Sequence, residues 1–327
     1  MSRAEDLGEW VRETFGLGDG PVSVRPAGRG AQASIQLLDI GGTRYAVKAP
    51  YGAINEDDVA REAEYLDHFA RCGVDVPVHH RDWSGRYVVP VPDRLGGGVV
   101  RVTHWIEGEP VGTATGDLAA SLGTLLGTLH AAAPPAATDP SRWYTTTPDD
   151  AVWEDLVRRS AGAPWDAALA GRLGDLRHHG ALARAAGPPL GPLIIGHRDL
   201  HPENVLRSPE GALRALGWED AGPVDPSREL AKVLVQWHVE GESVDAEAVR
   251  RTVVAYREAG GSGVVASPEA FAMVLSTDPN FLAKQIWVAL DAAVPDEPRQ
   301  HAVAEIEESL RYLPAPSALE RVLALST

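Results

Sequence analysis

The run Gly196-His197-Arg198-Asp199-Leu200-His201-Pro202-Glu203-Asn204-Val205 sets an Asp five residues ahead of an Asn. A fixed carboxylate at Asp199 could accept, or orient, the proton of an attacking hydroxyl. The side-chain oxygen of Asn204 is a hard ligand for a hard cation such as Mg²⁺. Together they are what phosphoryl transfer asks of a protein: an aligned acceptor and a metal to hold phosphate charge. His197 fits a role supporting the loop by hydrogen bonding, and His201 either supports it or lines the acceptor site.

Further residues could hold the phosphates. Gly28-Arg29-Gly30-Ala31, running to Ser34, is a Gly-rich turn through which backbone N–H groups could approach phosphate oxygens. Most such turns are simply hairpins. Lys48, in Tyr45-Ala46-Val47-Lys48, alternates along a strand and shares a face with Ala46. That face points inward if Tyr45 and Val47 point out, and an inward Lys needs a partner. Glu62 flanks the apolar stripe Val59, Ala63, Leu66, Ala70, an unusual place for an unpaired acid. A Lys48–Glu62 pair would orient the ammonium onto a nucleotide's phosphates.

The elements around these residues fall into two groups. Residues 21–50 read as antiparallel strands, with Gly41-Gly42 as a two-residue hairpin turn. Residues 56–72 read as a helix with Asn55 as N-cap and Gly73 as stop. Short strands follow near 76–78, 87–90 and 99–105, and Ile106-Glu107-Gly108-Glu109-Pro110 reads as a hinge. Residues 117–132 carry a broad Leu face, the mark of a buried helix. A short strand at 192–195 enters the Asp199 loop, a hairpin spans 205–216, and the chain after Pro226 is largely helical. Strands first and helices second give an α+β chain, divided at 1–105 and 106–327.

The chain has 327 residues, 44% of them hydrophobic, and a net charge of −16. Such acidity argues against nucleic acid as a partner. It suits a cationic small molecule or a basic peptide, though solubility alone would explain it. One cysteine, Cys72, allows no intrachain disulfide and fits a reducing compartment. The first ten residues hold three acids and no apolar run, and no stretch reaches bilayer-spanning length, so a cytoplasmic protein is expected.

These motifs resemble the aminoglycoside phosphotransferase family, which also includes choline and homoserine kinases. The resemblance runs from about residue 20 to 240. It rests on Lys48 in Tyr-Ala-Val-Lys, Glu62 in Arg-Glu-Ala-Glu, the hinge at Trp105–Gly108, and His197–Asn204. Trp218-Glu219-Asp220-Ala221-Gly222, Asp225-Pro226 and Glu229-Leu230-Ala231 extend it. It implies a protein-kinase-like two-lobed fold, with a small antiparallel-sheet N-lobe and a mostly helical C-lobe. It further implies ATP (or GTP) with Mg²⁺, adenine contacts near His104, Trp105 and Ile106, and a hydroxyl acceptor that is a small molecule or a peptide. Kinase-like relatives in ribosomal-peptide pathways phosphorylate a precursor, which keeps a peptide acceptor open.

The sequence departs from the family at Gly217, where a metal-binding Asp is expected. Losing a metal-bound carboxylate should slow transfer by about three orders of magnitude or more. Either Glu219 or Asp220 takes the metal instead, or the site binds without turnover, or an inactivating change has removed the ligand. Strand alternation favours Glu219, on the side of residue 217. The acceptor side is weakly encoded. Asp149, Asp150, Glu154, Asp155, Asp278, Asp291, Asp296 and Glu297, with Trp153, Trp237 and Trp287, could line an acidic pocket or simply be helix faces and core indoles.

Overall fold

The computed structural model describes residues 3–29, 33–112 and 118–327. In chain order its elements are α1 (Arg3–Phe15), β1 (Val22–Arg29), β2 (Ala33–Ile40), β3 (Thr43–Pro50), α2 (Glu56–Arg71), β4 (His79–His80), β5 (Val89–Pro90), β6 (Val99–His104) and β7 (Glu109–Pro110). Then come α3 (Ala119–Ala132), α4 (Asp150–Arg159), α5 (Asp166–Ala185), β8 (Ile194–Gly196), β9 (Val205–Arg207), β10 (Leu213–Ala215) and β11 (Gly222–Val224). Helices α6 (Pro226–His238), α7 (Ala246–Glu258), α8 (Val274–Leu290), α9 (Asp296–Tyr312) and α10 (Pro316–Ser326) close the chain.

Two compact units result. The first comprises Met1–Glu109 and Leu206–Ala221, the second Pro110–Val205 and Gly222–Thr327. The single cut expected at 105/106 is therefore corrected. The hinge strand β7 pairs with β9, and β9 with β10, so the hairpin after the Asp199 loop returns to the first unit. Gly108 permits this approach, since a Cβ there would meet Leu206 Cβ at 2.8 Å and the Arg207 carbonyl at 2.9 Å.

In the first unit an antiparallel sheet runs β1-β2-β3-β6-β4, with β5 also on β6. Gly41 and Gly42 have φ of +59° and +94°, the left-handed pair a tight hairpin needs. Asn55 caps α2 by accepting from the Asp57 N–H at 3.0 Å. Helix α1 was not foreseen. Its Val11 and Phe15 pack with Leu38, Tyr45, Val47 and Val102 in one core, joined by Leu7 and Trp10. Tyr45 and Val47 therefore point into that core rather than outward, and Lys48 lies on the opposite face of its strand.

The second unit is mainly helical. Helices α3 and α7 approach closely because Gly123 and Gly127 face the α7 backbone, where a Cβ would collide with Thr252 and Tyr256. Trp153 is a core indole in a cluster with Leu156, Leu169, Leu176 and Ile306, not a pocket wall. Two short strands, β8 and β11, pair antiparallel and frame the Asp199 loop.

Candidate active site

In the first unit, β3 and β6 place Lys48 directly opposite Arg101. Two like charges roughly 5 Å apart repel by about 3 kcal/mol at an effective dielectric near 20. An anion resolves this. Glu219 Oε1 lies 2.9 Å from Lys48 Nζ and also pairs with Arg101 Nη2. Arg101 Nη1 reaches Glu62 Oε2 at 2.7 Å, and His79 Nε2 lies 3.0 Å from Glu62 Oε1. The expected Lys48–Glu62 pair is thus corrected: Lys48 pairs with Glu219, and Glu62 with Arg101 and His79. Arg101, buried on the strand next to Lys48, supplies a cation that sequence reasoning missed. Burial pushes Glu219 up, but Lys48 and Arg101 together hold its carboxyl well below the usual range.

Gly217 has φ +71° and ψ +48°, just before the short 3₁₀ turn Trp218–Asp220. This left-handed geometry suits Gly, with Asn and Asp the better tolerated alternatives. Trp218 is buried against Phe69, its ring centroid 5.0 Å away, and its indole N–H donates to the Ala215 carbonyl. The turn carrying Glu219 and Asp220 is therefore anchored on α2 and β10.

The expected phosphate loop narrows. Gly28 pairs with Ile35 beside an irregularity in β1, and Ser34 pairs with Arg29 and Ala49 within the sheet. Gly30 lies outside the described residues. In the hinge, the His104 and Trp105 N–H groups already donate to the Val78 and Arg44 carbonyls. The Ile106 N–H has no partner among the described residues.

The second unit holds the Asp199 loop. Asn204 Nδ2 donates to the Asp199 carbonyl at 2.9 Å and to Asp199 Oδ2 at 3.0 Å, leaving its amide oxygen for a cation. His201 Nε2 lies 3.4 Å from Asp199 Oδ2. Two α6 residues, Glu229 and Lys232, hold the backbone N–H and the backbone carbonyl of Arg198. The Arg198 N–H donates to Glu229, and Lys232 Nζ donates to the Arg198 carbonyl at 2.8 Å. This matters because Arg198 alone among the described non-Gly residues has positive φ, +67°. Such strain persists only where the surroundings over-determine it. Gly222 leaves room for the Arg198 guanidinium, which lies 3.9 Å above the Tyr144 ring.

Lys232 Nζ also lies 3.3 Å from Asp199 Oδ1. Burial raises the Asp199 carboxyl, but Lys232, then His201 and His197, outweigh it and hold it far below the usual range. Asp199 is therefore a weak base at neutral pH, suited to orienting a hydroxyl rather than keeping its proton. Neither Glu229 nor Lys232 was foreseen in these roles, though charged residues three apart on a helix rich in Leu, Val and Ala were a visible signal.

Behind the loop runs a buried chain. His130 Nε2 lies 3.0 Å from Glu229 Oε2, His130 Nδ1 lies 2.7 Å from the Tyr256 hydroxyl, and that hydroxyl accepts from the Gly263 N–H at 2.7 Å. An assignment that satisfies every group has Tyr256 donating to Nδ1 and His130 donating from Nε2 to the carboxylate. Trp237 donates to the Leu200 carbonyl at 2.7 Å, so it anchors the loop and lines no pocket. Of the acids named for the acceptor side, Asp149 caps α4 and Asp155 pairs with Arg158 and Arg159. Asp150 and Glu154 face Arg177. Asp278 accepts from Gln236 and Thr277, and burial raises its carboxyl near Lys232 and Asp199.

Among the described residues no three His, Cys, Asp or Glu side chains converge on a metal position. Asn204 Oδ1 in the second unit and, separately, the Glu219 carboxylate in the first are hard oxygens of the kind Mg²⁺ takes, an ion that usually needs only one or two protein ligands and completes its shell with phosphate and water. No helix among the described residues is long and apolar enough to cross a membrane.

The model of the phosphotransferase enzyme family (APH) matches residues 23–271. The chain belongs to that family. Solved structures share its protein-kinase-like two-lobed α+β fold. Spectinomycin phosphotransferase, in complex with ADP and spectinomycin, aligns over 97% of this chain and 98% of its own, with TM-score 0.65 and 14% identity. A choline/ethanolamine kinase family protein from Mesorhizobium loti aligns over 99% of both chains, with TM-score 0.56 and 20% identity. Amicoumacin kinase, bound to AMP-PNP, Ca²⁺ and its antibiotic, covers 97% of this chain and 96% of its own, with TM-score 0.59 and 14% identity. No curated protein matches.

Proposed function

We propose that this phosphotransferase moves the γ-phosphoryl group of ATP to a hydroxyl of a small amine-bearing molecule. The observation that carries this is the Asp199–Asn204 loop: a carboxylate held low by Lys232 and bound by an amide whose oxygen is left for a metal. Asp199 orients the acceptor hydroxyl for in-line attack, and Lys48 takes phosphate oxygens. Asn204 in the second unit, and Glu219 or Asp220 in the first, are each oxygen ligands that would hold a divalent ion, and such an ion would neutralise phosphate charge. Ile106 offers its N–H to the base.

Interacting acids beside His201 support an amine-bearing acceptor. Burial raises the Glu305 carboxyl, and Glu308 and Glu203 raise it further, while His301 and His201 act against them. An ammonium group would relieve that crowding. Spectinomycin, amicoumacin and choline, named with the solved structures, fit this class.

Gly217 supports a second reading, a kinase fold with impaired turnover that binds a nucleotide or a precursor peptide. One assay separates the two: Mg²⁺-dependent release of γ-phosphate from ATP with a panel of amino-alcohol acceptors. This chain is run beside Gly217→Asp, with Asp199→Ala as blank. Turnover by the unaltered chain, abolished in Asp199→Ala, supports the enzyme. Activity in Gly217→Asp alone supports the impaired reading. ATP binding with no turnover by any variant and any acceptor counts against transfer to these substrates and favours the binding reading.

A further inference from the structure

The charged group in the first unit has an odd composition. One carboxylate oxygen, Glu219 Oε1, serves two cations that the sheet register sets opposite each other, Lys48 and Arg101. Arg101 is 4% exposed and does not leave its place, because Glu62 holds its other nitrogen at 2.7 Å. The Arg101 Nε and, two residues along the same face, the Thr103 hydroxyl are buried with no partner among the described residues. Buried polar groups of this kind are uncommon and mark places where a ligand or water completes the bonding. The turn that brings Glu219 here begins at Gly217, which has no side chain to compete for either cation.

Two fixed cations around one oxygen make an anion site, and a phosphate oxygen can replace a carboxylate oxygen in it. We propose that Lys48 and Arg101 form a two-cation phosphate site whose resident anion is Glu219, and that a nucleotide binds by exchanging that carboxylate out. The inference rests on the nucleotide reading above and adds to it a second phosphate-binding cation and an internal competitor. Exchange leaves Glu219 without its cations. Metal-free nucleotide must therefore strand a carboxylate beside its own phosphates, whereas nucleotide carrying Mg²⁺ brings Glu219 a replacement cation. The requirement for metal in binding, and not only in chemistry, is thus built into residue 219.

The test is calorimetric binding of ATP and of inorganic tripolyphosphate to the full chain, each in EDTA and in excess Mg²⁺. Glu219→Gln should tighten metal-free ATP by tenfold or more and reduce the gain from Mg²⁺ by a similar factor. Glu219→Asp, one methylene shorter and unable to span both cations, should fall between. Adding Arg101→Met to Glu219→Gln should remove most of the tightening. If Glu219→Gln misfolds on thermal melting, Glu219→Asp alone decides by the same sign. Unchanged or weaker metal-free binding in the folded variants overturns the inference while leaving the nucleotide reading intact. If ATP binds to no form but tripolyphosphate binds more tightly to Glu219→Gln, the anion site stands and the nucleotide reading falls. If neither ligand binds any form, both fall.

Discussion

Removing one hydroxyl should show whether the buried chain behind the Asp199 loop works as a unit. In Tyr256→Phe the Gly263 N–H loses its acceptor and His130 Nδ1 loses its donor, both at 2.7 Å. Tyr256 is fully buried and His130 is 5% exposed, so water cannot readily replace the lost group. Each stranded buried polar group costs about 1–3 kcal/mol, and the ring itself is retained, so no cavity term is added. A loss of about 2–6 kcal/mol is expected for the two groups together. Urea unfolding followed by fluorescence and by far-ultraviolet circular dichroism measures it, provided the two probes coincide. The effect should travel further. His130 then holds Glu229 less firmly, and Glu229 holds the strained Arg198 peptide, so the Arg198 amide should exchange hydrogen faster. A double-mutant cycle of Tyr256→Phe with Glu229→Gln should give a coupling of about 0.5–3 kcal/mol. A single-mutant loss under about 0.5 kcal/mol, or additive effects in the cycle, would show that the four groups are neighbours and not a chain.

Acid should destabilise the second unit before its carboxylates titrate. Burial depresses His179 and His238 to about 4, below the value near 6.5 of an unfolded chain. Their stabilisation is whole above pH 6.5 and lost as pH falls from there towards 4, by up to about 1.4 kcal/mol per unit per histidine. Urea midpoints at pH 7, 6 and 5 measure this, and a His238→Gln variant with an unflattened slope would refute the assignment. Arg101→Met leaves Glu219 with one cation and Glu62 with His79 alone, so a loss of about 3–5 kcal/mol is expected in thermal or chemical melts. Gly217→Asp should fold with a penalty of about 1 kcal/mol, since φ is +71° there, and should change Mg²⁺-dependent turnover little; a rise of about three orders of magnitude would favour the impaired reading. Equal activity with and without that Asp would mean other residues carry the metal.

What the sequence disclosed and what it hid follow from where each signal lies. The Asp199–Asn204 loop was legible because its chemistry is local: six residues carry both the carboxylate and the amide, and their hydrogen bonds join each other. The ion pairs of the first unit were not, because partners chosen across a sheet depend on which face is covered. Alternation correctly separated Lys48 from Tyr45 and Val47, yet the inward face was assigned without α1. Leu7, Val11 and Phe15, at helical spacing among the acids of the first fifteen residues, were the available sign that a helix covers Tyr45 and Val47. With that helix in place, the other face must take Lys48, and the same alternation in Val100-Arg101-Val102-Thr103 sets Arg101 beside it. A second cation there makes Glu62 too far committed to serve Lys48, so an acid from elsewhere in the chain is required. Glu219 meets that need from 171 residues away, a separation no periodicity encodes. The Gly at 217 and the carboxylate at 219 thus belong to one arrangement: the turn that lacks a side chain at its first position delivers one, two residues later, to the cations that would otherwise repel.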